Sequence, residues 1–160
     1  MTIAAYPGRF DPVTNGHLDI VLRAAEIFEK VVVGVAKSSS SLFTLEERVE
    51  LFREAVKDLP HVSVAVIEGL TVDFARSQGA RVLVRGIRAV TDFESEFQQA
   101  LMNRKQAPAI ETLMIVTDLN YLFVSATLLK EIAMLGGDLD GIVTPNVAQA
   151  LHAKIAEKKA

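Results

Sequence analysis

Short apolar runs alternate with amphipathic segments along this chain. Five runs rich in Val, Ile and Leu predict β-strands at residues 3–6, 31–36, 62–67, 81–84 and 113–116. Segments with apolar residues at helical spacing predict helices near residues 18–29, 45–58, 72–77, 92–103, 126–135 and 146–157. Because the strands are almost continuously apolar, they suit a parallel sheet covered on both faces. The pattern predicts a Rossmann-like, doubly wound α/β fold with a five-stranded parallel sheet.

Local signals mark several helix ends. Thr44 with Glu47, and Thr91 with Glu94, have the spacing of capping boxes. The Gly-Gly pair at residues 136–137 is expected to end the fifth helix. Apart from a serine run at residues 38–41, no low-complexity segment, linker or repeat interrupts the pattern. We therefore expect residues 1–160 to form one domain.

Composition excludes several classes of function. The net charge of −3 gives no overall basic field with which to hold nucleic acid. The absence of cysteine excludes disulfides, thiolate chemistry and Cys-ligated zinc, and three scattered histidines do not form a metal site. No apolar run approaches the roughly 18 to 20 residues needed to cross a bilayer, and no secretory signal is evident. The expectation is a soluble cytoplasmic protein with no membrane or nucleic-acid partner.

The turn between the first strand and the first helix is the most informative stretch. The strand breaks at Pro7-Gly8, and a Thr-Asn-Gly-His run ending in His17 opens the helix. Helix N-termini present unpaired N–H groups and a partial positive charge, so they bind phosphate. An isolated histidine is more often a solvated surface residue, but this one directly follows Gly16 at a Gly/Pro turn. That placement favours a role at a phosphate, although neither a Walker loop nor a GxGxxG fingerprint is present.

Ligands in open α/β sheets bind beyond the carboxyl ends of the strands, at a switch point. This rule sorts the candidate residues into five groups, one after each strand. We expect the five groups to line one edge of the sheet: Arg9, Phe10 and His17; Lys37 and the serine run; residues 68–71; Arg85 and Arg88; and residues 121–127.

Two of these groups suit polyphosphate binding. Arg85 and Arg88 flank Gly86, which allows a close backbone approach, and guanidinium groups bind phosphate in bidentate fashion. Ser125 is either an ordinary N-cap or part of a second helix N-terminus aimed at phosphate, and both interpretations can hold. The spacing of the helix that follows predicts an apolar face with Leu128, Ile132 and Leu135.

Five blocks in order resemble the bacterial phosphopantetheine adenylyltransferase family, within the nucleotidyltransferase superfamily that shares an [HT]xGH element. The first is Tyr6-Pro7-Gly8-x-Phe10-Asp11-Pro12-x-Thr14-x-Gly16-His17. The others are FTLEER at residues 43–48, RGIRAV at 85–90 followed by Asp92, Phe93, Glu94 and Glu96, MNR at 102–104, and FVSAT at 123–127. The resemblance implies adenylyl transfer from ATP to 4′-phosphopantetheine, giving dephospho-coenzyme A and pyrophosphate in coenzyme A biosynthesis. It also implies a homohexamer, and Mg²⁺ is expected because nucleotidyl transfers commonly neutralise charge with it.

The resemblance also assigns roles to individual residues. His17 is implied as the transition-state stabiliser, in contact with the α-phosphate of ATP. ATP binding is implied for Arg9, Phe10, His17, Gly86, Ile87, Arg88, Glu96, Tyr121, Leu122, Phe123, Val124, Ser125, Ala126 and Thr127. Binding of the phosphopantetheine substrate is implied for Arg9, Ser40, Thr71 and Arg85, and no protein ligand to a metal is implied.

The chain departs from the family pattern at four places. Arg9 stands where the family has Ser or Thr, and a loop lysine expected near Ser39 or Ser40 is absent, with only Lys37 close. Ser95 replaces a tyrosine and Ala126 replaces a second serine. We hypothesise that Arg9 supplies the charge of the absent lysine. Transfer to another phosphate acceptor, or a non-catalytic nucleotide-binding or regulatory role, stays open at this point.

Overall fold

Strands and helices alternate as the sequence predicts. The computed structural model describes residues 2–160, so Met1 of the predicted domain lies outside the described residues. The strands are β1 (Ile3–Gly8), β2 (Lys30–Ala36), β3 (Val62–Ile67), β4 (Val82–Ile87) and β5 (Glu111–Val116). The helices are α1 (Asn15–Ile27), α2 (Leu45–Ala55), α3 (Thr71–Ser77), α4 (Val90–Gln106), α5 (Ala126–Met134) and α6 (Pro145–Lys159), with a short 3-10 turn at Leu119–Tyr121.

The five strands form one parallel sheet in the order β3-β2-β1-β4-β5. The chain moves outward from β1 through β2 to β3, returns to the other side of β1 as β4, and continues to β5. The strand order therefore reverses between β1 and β4, and a crevice opens there at the carboxyl edge. The predicted Rossmann-like, doubly wound fold is confirmed.

The two faces of the sheet bury separate apolar clusters, which explains why the strands are apolar at consecutive positions. On one face Ala4 and Tyr6 of β1 pack with apolar residues of α1, α2, α5 and α6. On the other face Ala5 packs in a smaller cluster that includes Val72 and Phe74 of α3. Successive side chains of a strand point to opposite faces, so both registers must be apolar.

Two strands continue past the carboxyl ends that the sequence predicts. β1 continues through Pro7, which is tolerated because β1 pairs with β4 only at Ala4 and Ala5 and leaves that edge open further along. β4 continues through Arg85, which pairs with Met114 of β5. The expectation that Arg85 follows the strand was therefore wrong. The polar side chain ends the apolar run in the sequence, but the backbone of β4 continues to pair with β5 through Arg85 and beyond.

The helix starts also differ from the pattern. α1 begins at Asn15, because the Thr14 side chain caps it and accepts a hydrogen bond from the His17 backbone N–H. The Thr44–Glu47 capping box is confirmed at α2. The prediction of a Thr91–Glu94 capping box was wrong, because α4 begins at Val90 and has Ala89 as its N-cap.

α5 turns a different face to the core from the one that the sequence pattern predicts. Leu129 and Ala133 are buried, whereas Leu128, Ile132 and Leu135 are exposed. The helix has apolar residues almost all round, so periodicity alone could not select the inner face. The outer face of α5 is therefore left uncovered within the protomer.

α4 contrasts with the other long helices. None of its 17 residues is buried, and no α4 residue belongs to either apolar cluster. Phe93, Phe97 and Leu101 each expose about half of their surface. Within residues 2–160, no helix combines the length and the apolar character that crossing a membrane requires.

Candidate functional site

A cavity of about 580 Å³ lies at the carboxyl edge of the sheet beside the β1–β4 reversal. This volume is typical of small-molecule sites. Most of the site residues predicted from the sequence line it: Arg9, Phe10, His17, Ser40, Arg85, Gly86, Arg88, Glu96, Tyr121, Val124, Ser125, Ala126 and Thr127. Four of the five predicted groups therefore contribute to one cavity.

Four predicted site residues lie outside the lining of this cavity: Thr71, Ile87, Leu122 and Phe123. The whole of the group at residues 68–71 is outside, because β3 stands at the far edge of the sheet, two strands away from the reversal. Lys37 also lies outside and forms an exposed ion pair with Glu68. The third group therefore lies outside this cavity, and the binding role that the family resemblance implies for Thr71 stays a prediction.

The β1–α1 turn is set into the core by Phe10. This residue has a left-handed backbone (φ 50°), rare for a bulky side chain, and its buried ring accounts for that conformation. The ring packs edge-on against Phe52 and His17, with centroid distances of 4.7 and 5.0 Å. A Cβ on Gly8 would lie 2.7 Å from the same ring, so only glycine fits there. Apolar packing thus fixes the backbone that carries Arg9 and His17.

His17 is held in one tautomer by the helix cap. The backbone N–H of Thr14 donates to His17 Nδ1 at 3.0 Å, so Nδ1 is the acceptor and the proton sits on Nε2. No described residue accepts a hydrogen bond from Nε2. Burial, with Arg88 and Arg85 nearby, lowers the pKa of His17 to about 4. At neutral pH the side chain is a neutral N–H donor at the cavity wall.

The two arginines of β4 and its following turn are each engaged. Arg85 Nε and Nη2 donate to the two oxygens of Glu96 at 2.7 Å, and Nη1 donates to the Pro7 carbonyl at 2.6 Å. Burial opposes the charge of Arg85, but the Glu96 carboxylate outweighs it and raises the pKa of Arg85. Arg88 Nη1 donates to the Val124 carbonyl at 2.6 Å and Nε to Asp92 at 3.3 Å. Arg88 therefore ties the end of β4 to the entrance of α5.

Sequence reasoning missed an ion pair at the floor of the cavity. Lys130 Nζ lies 2.9 Å from the Asp11 carboxylate, which also accepts the backbone N–H groups of Leu42 and Phe43. Burial alone would raise the pKa of Asp11, but these hydrogen bonds and the lysine lower it. A signal was available, since Lys130 is the only cation in α5 and stands one helical turn after Ala126.

Arg48, within the block at residues 43–48, was also given no role by the sequence. It is fully buried, and its Nη1 donates to the carbonyls of Arg9 and Ala36 at 2.7 and 2.8 Å. Its Nε has no hydrogen-bond partner among the described residues. Arg48 thus links the ends of β1 and β2. Asp11 accepts hydrogen bonds from the two backbone N–H groups that directly follow the serine run. The serine loop is therefore anchored at both of its ends.

The charges around the cavity are almost balanced. Its lining includes four cations, Arg9, Arg85, Arg88 and Lys130, and three carboxylates, which belong to Asp11, Asp92 and Glu96. Each carboxylate pairs with one of the last three cations. Arg9 is exposed, and its side chain has no hydrogen-bond or ion-pair partner in the described part of the chain. The net positive charge of the cavity therefore resides on Arg9.

The entrance of α5 faces the same cavity. The Ser125 hydroxyl accepts the Leu128 backbone N–H at 3.2 Å, which confirms that Ser125 is the N-cap. Ala126 and Thr127, in the first turn, also line the cavity. With α1 on the opposite side, two helix N-termini converge on one space, an arrangement suited to anionic phosphate.

No group of three or more metal-ligating side chains occurs within residues 2–160. The three cavity carboxylates are already engaged with cations or backbone N–H groups, as described above. The cavity presents hydrogen-bond donors and cations, with one neutral histidine among them.

Comparison with known proteins agrees with this description. Residues 5–132 match the sequence family described as cytidylyltransferase-like, so fold and site define a nucleotidyltransferase of that class. A protein from Vibrio parahaemolyticus, provisionally assigned as a nicotinate-nucleotide adenylyltransferase, superposes with a TM-score of 0.74 at 18% identity, covering 100% of this chain and 98% of that chain. A bifunctional NMN adenylyltransferase/ADP ribose pyrophosphatase from Francisella tularensis gives 0.68 at 15% identity, covering 99% of this chain and 53% of that one.

Relatives at higher identity define the family more narrowly. Phosphopantetheine adenylyltransferase of Azoarcus sp. strain BH72 is 52% identical over 159 residues, which cover 98% of both chains. The enzyme of the same name from Carboxydothermus hydrogenoformans is 46% identical over 160 residues, 99% of both chains. This chain belongs to the phosphopantetheine adenylyltransferase family.

Proposed function

We propose that this protein transfers the adenylyl group of ATP to 4′-phosphopantetheine, giving dephospho-coenzyme A and pyrophosphate. About half of the residues are identical to those of enzymes named phosphopantetheine adenylyltransferase, over nearly the full length of the chain. This observation carries the proposal. The cavity supports it, because two helix N-termini, two arginines and a neutral histidine surround a space of substrate size.

The reaction needs no nucleophile from the protein. An oxygen of the 4′-phosphate attacks the α-phosphorus of ATP in line, and the bond between the α-phosphorus and the bridging oxygen to the β-phosphate breaks. Pyrophosphate leaves with the bonding electron pair, so atoms and charge balance. Catalysis then rests on holding the two anions in line and on stabilising the charge that develops.

His17 is suited to that stabilisation. Its Nε2–H is the only N–H of the ring in the tautomer fixed by Thr14, and a low pKa keeps the ring neutral. A neutral donor that is already oriented needs no reorganisation when charge builds up on the α-phosphate. We propose that Nε2–H donates to an α-phosphate oxygen and that this contact shortens in the transition state.

Two arginines divide the substrates between them in this proposal. Arg85 faces the phosphate of phosphopantetheine, and Arg88 with the N-terminus of α5 faces the β- and γ-phosphates of ATP. Arg88 already touches the Val124 carbonyl at the entrance of α5, so it stands where the leaving pyrophosphate would lie. Phe10 contributes its backbone at the turn, because its ring is buried.

We propose that Mg²⁺ enters as the Mg·ATP complex. The ion would be held by phosphate oxygens and water, because Asp11, Asp92 and Glu96 are committed to other partners. An enzyme that consumes ATP needs a compartment supplied with it, and for that reason we propose a cytoplasmic location.

We also propose a homohexamer, on the basis of family resemblance and of apolar surface. Phe93 and Phe97 of α4, Val116 at the open edge strand β5, and Leu128 and Leu135 of α5 are all exposed. Monomeric proteins seldom expose so many large apolar side chains. Sedimentation equilibrium of the purified protein tests this proposal, and a monomer at micromolar concentration would contradict it.

Turnover with a panel of acceptors tests the activity. Purified protein is incubated with ATP, Mg²⁺ and either 4′-phosphopantetheine or nicotinate mononucleotide, and pyrophosphate and the adenylylated product are measured. Dephospho-coenzyme A is the expected product. Product from the other acceptor alone would show that the acceptor is wrong. ATP binding without turnover would instead favour a regulatory protein, the alternative suggested by Arg9 and the lysine-free serine run.

A further inference from the structure

Asp11 connects three parts of the molecule that meet at the cavity. It lies in the turn between β1 and α1, lines the cavity and is only 5% exposed. Its Oδ1 accepts a hydrogen bond from the backbone N–H of Phe43 at 2.9 Å. Its Oδ2 accepts one from the backbone N–H of Leu42 at 2.8 Å and one from Lys130 Nζ at 2.9 Å. A single carboxylate therefore links the β1–α1 turn, the segment before α2 and helix α5.

The serine loop, residues 37–41, has few contacts of its own that could hold it in place. Its residues 38–41 form no backbone–backbone hydrogen bond within the part of the chain that the structure describes. The hydroxyls of Ser38 and Ser40 lie 3.4 Å apart at an exposed position. Ser40 and Ser41 nevertheless line the cavity. The position of the loop over the cavity therefore depends on the contacts at its two ends.

Both ends of the serine loop return to the same turn. At the start of the loop, Arg48 Nη1 donates to the carbonyls of Ala36 and Arg9. At its end, Asp11 accepts the two backbone N–H groups that follow the loop. The first anchor uses carbonyl groups of the turn, which a substitution in the turn leaves in place. The second anchor is the Asp11 side chain, so its contribution can be tested by substitution.

We propose that Asp11 is a positioning residue that holds the serine loop in place for the acceptor phosphate. The inference rests on the proposed function, because it takes 4′-phosphopantetheine as the acceptor and Ser40 as one of its contacts. Asp11 does not itself bind the phosphate, since its two oxygens are engaged and a carboxylate repels an anion. Without this anchor, the acceptor must order the loop when it binds, which weakens its binding.

Asp11→Asn removes the anchor with little change in the size of the side chain. An amide has one acceptor oxygen and one NH2 group that only donates. Whichever way the amide turns, its NH2 group faces the N–H of either Leu42 or Phe43, so one of these contacts is lost. The substitution also leaves Lys130 without its partner. Lys130→Met removes the same ion pair but keeps both acceptor oxygens, so it separates the ion pair from the loop contacts.

The test compares both variants with wild type. We expect Asp11→Asn to raise KM for 4′-phosphopantetheine about 10-fold, since charge-assisted hydrogen bonds are lost, and to change KM for ATP less than about threefold. This rise should exceed the one caused by Lys130→Met. Hydrogen–deuterium exchange of the Leu42 and Phe43 amides should be faster in Asp11→Asn and unchanged in Lys130→Met. Asp58→Asn, at an exposed carboxylate outside the cavity, is the matched control and should match wild type.

Other outcomes would overturn the inference. Equal rises in KM for both substrates would indicate a general distortion of the site, and equal rises in Asp11→Asn and Lys130→Met would assign the effect to the ion pair. Unchanged exchange of the two amides in Asp11→Asn would show that the loop does not depend on this anchor. If Asp11→Asn does not fold, Asp11→Glu keeps the charge but lengthens the reach, and the same preferential loss of acceptor binding is expected.

Calorimetric titration with each substrate separately distinguishes failure of the inference from failure of the proposed function. Wild type that does not bind 4′-phosphopantetheine, or binds it without turnover, contradicts the proposed function. Equal affinity of wild type and Asp11→Asn for 4′-phosphopantetheine contradicts the inference.

Discussion

Two walls of the cavity are held in place by different forces. On one side, residues 8–17 are set into the core by the buried side chains of Phe10 and Val13 and by the buried Thr14 cap. On the other side, α4 buries none of its residues and meets the cavity through the ion pairs of Asp92 and Glu96. The first wall carries the proposed transition-state contact, which must be placed precisely within the fold. The α4 wall supplies the carboxylates that hold Arg85 and Arg88, the two arginines proposed to bind substrate phosphates.

The sharpest test of the first wall is His17→Ala. The Thr14 hydroxyl still accepts the backbone N–H of residue 17 and the ring of Phe10 stays buried, so the substitution should remove one donor with little change in shape. Loss of a donor of this kind typically lowers kcat by about 10²- to 10³-fold. KM for ATP should change far less, because the contact strengthens in the transition state. His152→Ala, at an exposed position on α6, is the control, and a His17→Ala variant with near-normal kcat would remove His17 from the mechanism.

Substitution of either arginine paired with α4 should impair the use of one substrate more than that of the other. We expect Arg85→Ala to raise KM chiefly for 4′-phosphopantetheine and Arg88→Ala to raise KM chiefly for ATP, each by about 10- to 100-fold for a lost charge-assisted contact. Steady-state kinetics with one substrate varied at a time measures the split. Arg53→Ala, at an exposed arginine of α2, should behave like wild type. Equal damage to both KM values in both variants would contradict the division.

The pKa of His17 gives the first wall a signature in stability. The folded protein keeps this ring neutral down to about pH 4, whereas the unfolded chain binds its proton near pH 6.5. Protons then favour the unfolded state, so the free energy of unfolding should fall as pH drops from about 6.5 to about 4. Urea unfolding of wild type and His17→Gln should show that the wild type loses on the order of 2 kcal/mol more over this range. Parallel curves for the two proteins would show that His17 is not held neutral.

Arg9 is the exception on the first wall, because its backbone is fixed by Arg48 while its side chain is exposed. If it supplies the net charge of the cavity, Arg9→Thr should lower kcat/KM about 10-fold, as expected for a lost charge-assisted contact. Arg9→Thr with Ser40→Lys should recover part of that loss, which a double-mutant cycle measures. A silent Arg9→Thr, or a lysine that restores nothing, would end the compensation hypothesis.

The contrast between the walls also explains what the sequence could predict. The alternation of apolar runs and helical patterns predicted the order of strands and helices. The strands could be recognised because side chains on both faces of the sheet are buried, which makes each strand a continuous apolar run. Arg85 was placed after β4 only because its polarity ends the run. Glu96 and Arg85 are 11 residues apart, on different elements, and no local spacing links them. Lys130 stands out in the sequence as the only cation of α5, but its partner Asp11 is 119 residues away, so the contact itself required the tertiary structure.

The weak attachment of α4 has a consequence for local unfolding. A helix with no fully buried residue loses comparatively little apolar contact when it detaches, so its opening free energy should lie below that of the whole domain. In the isolated protomer, backbone amides of α4 should then exchange with solvent faster than those of α1, which buries Ile20, Val21 and Ala24. Substrates that bind Arg85 and Arg88 should fix these side chains and, through their ion pairs with Glu96 and Asp92, slow the opening of α4. Hydrogen–deuterium exchange along α4 would therefore report occupancy of the cavity from residues that never touch a ligand.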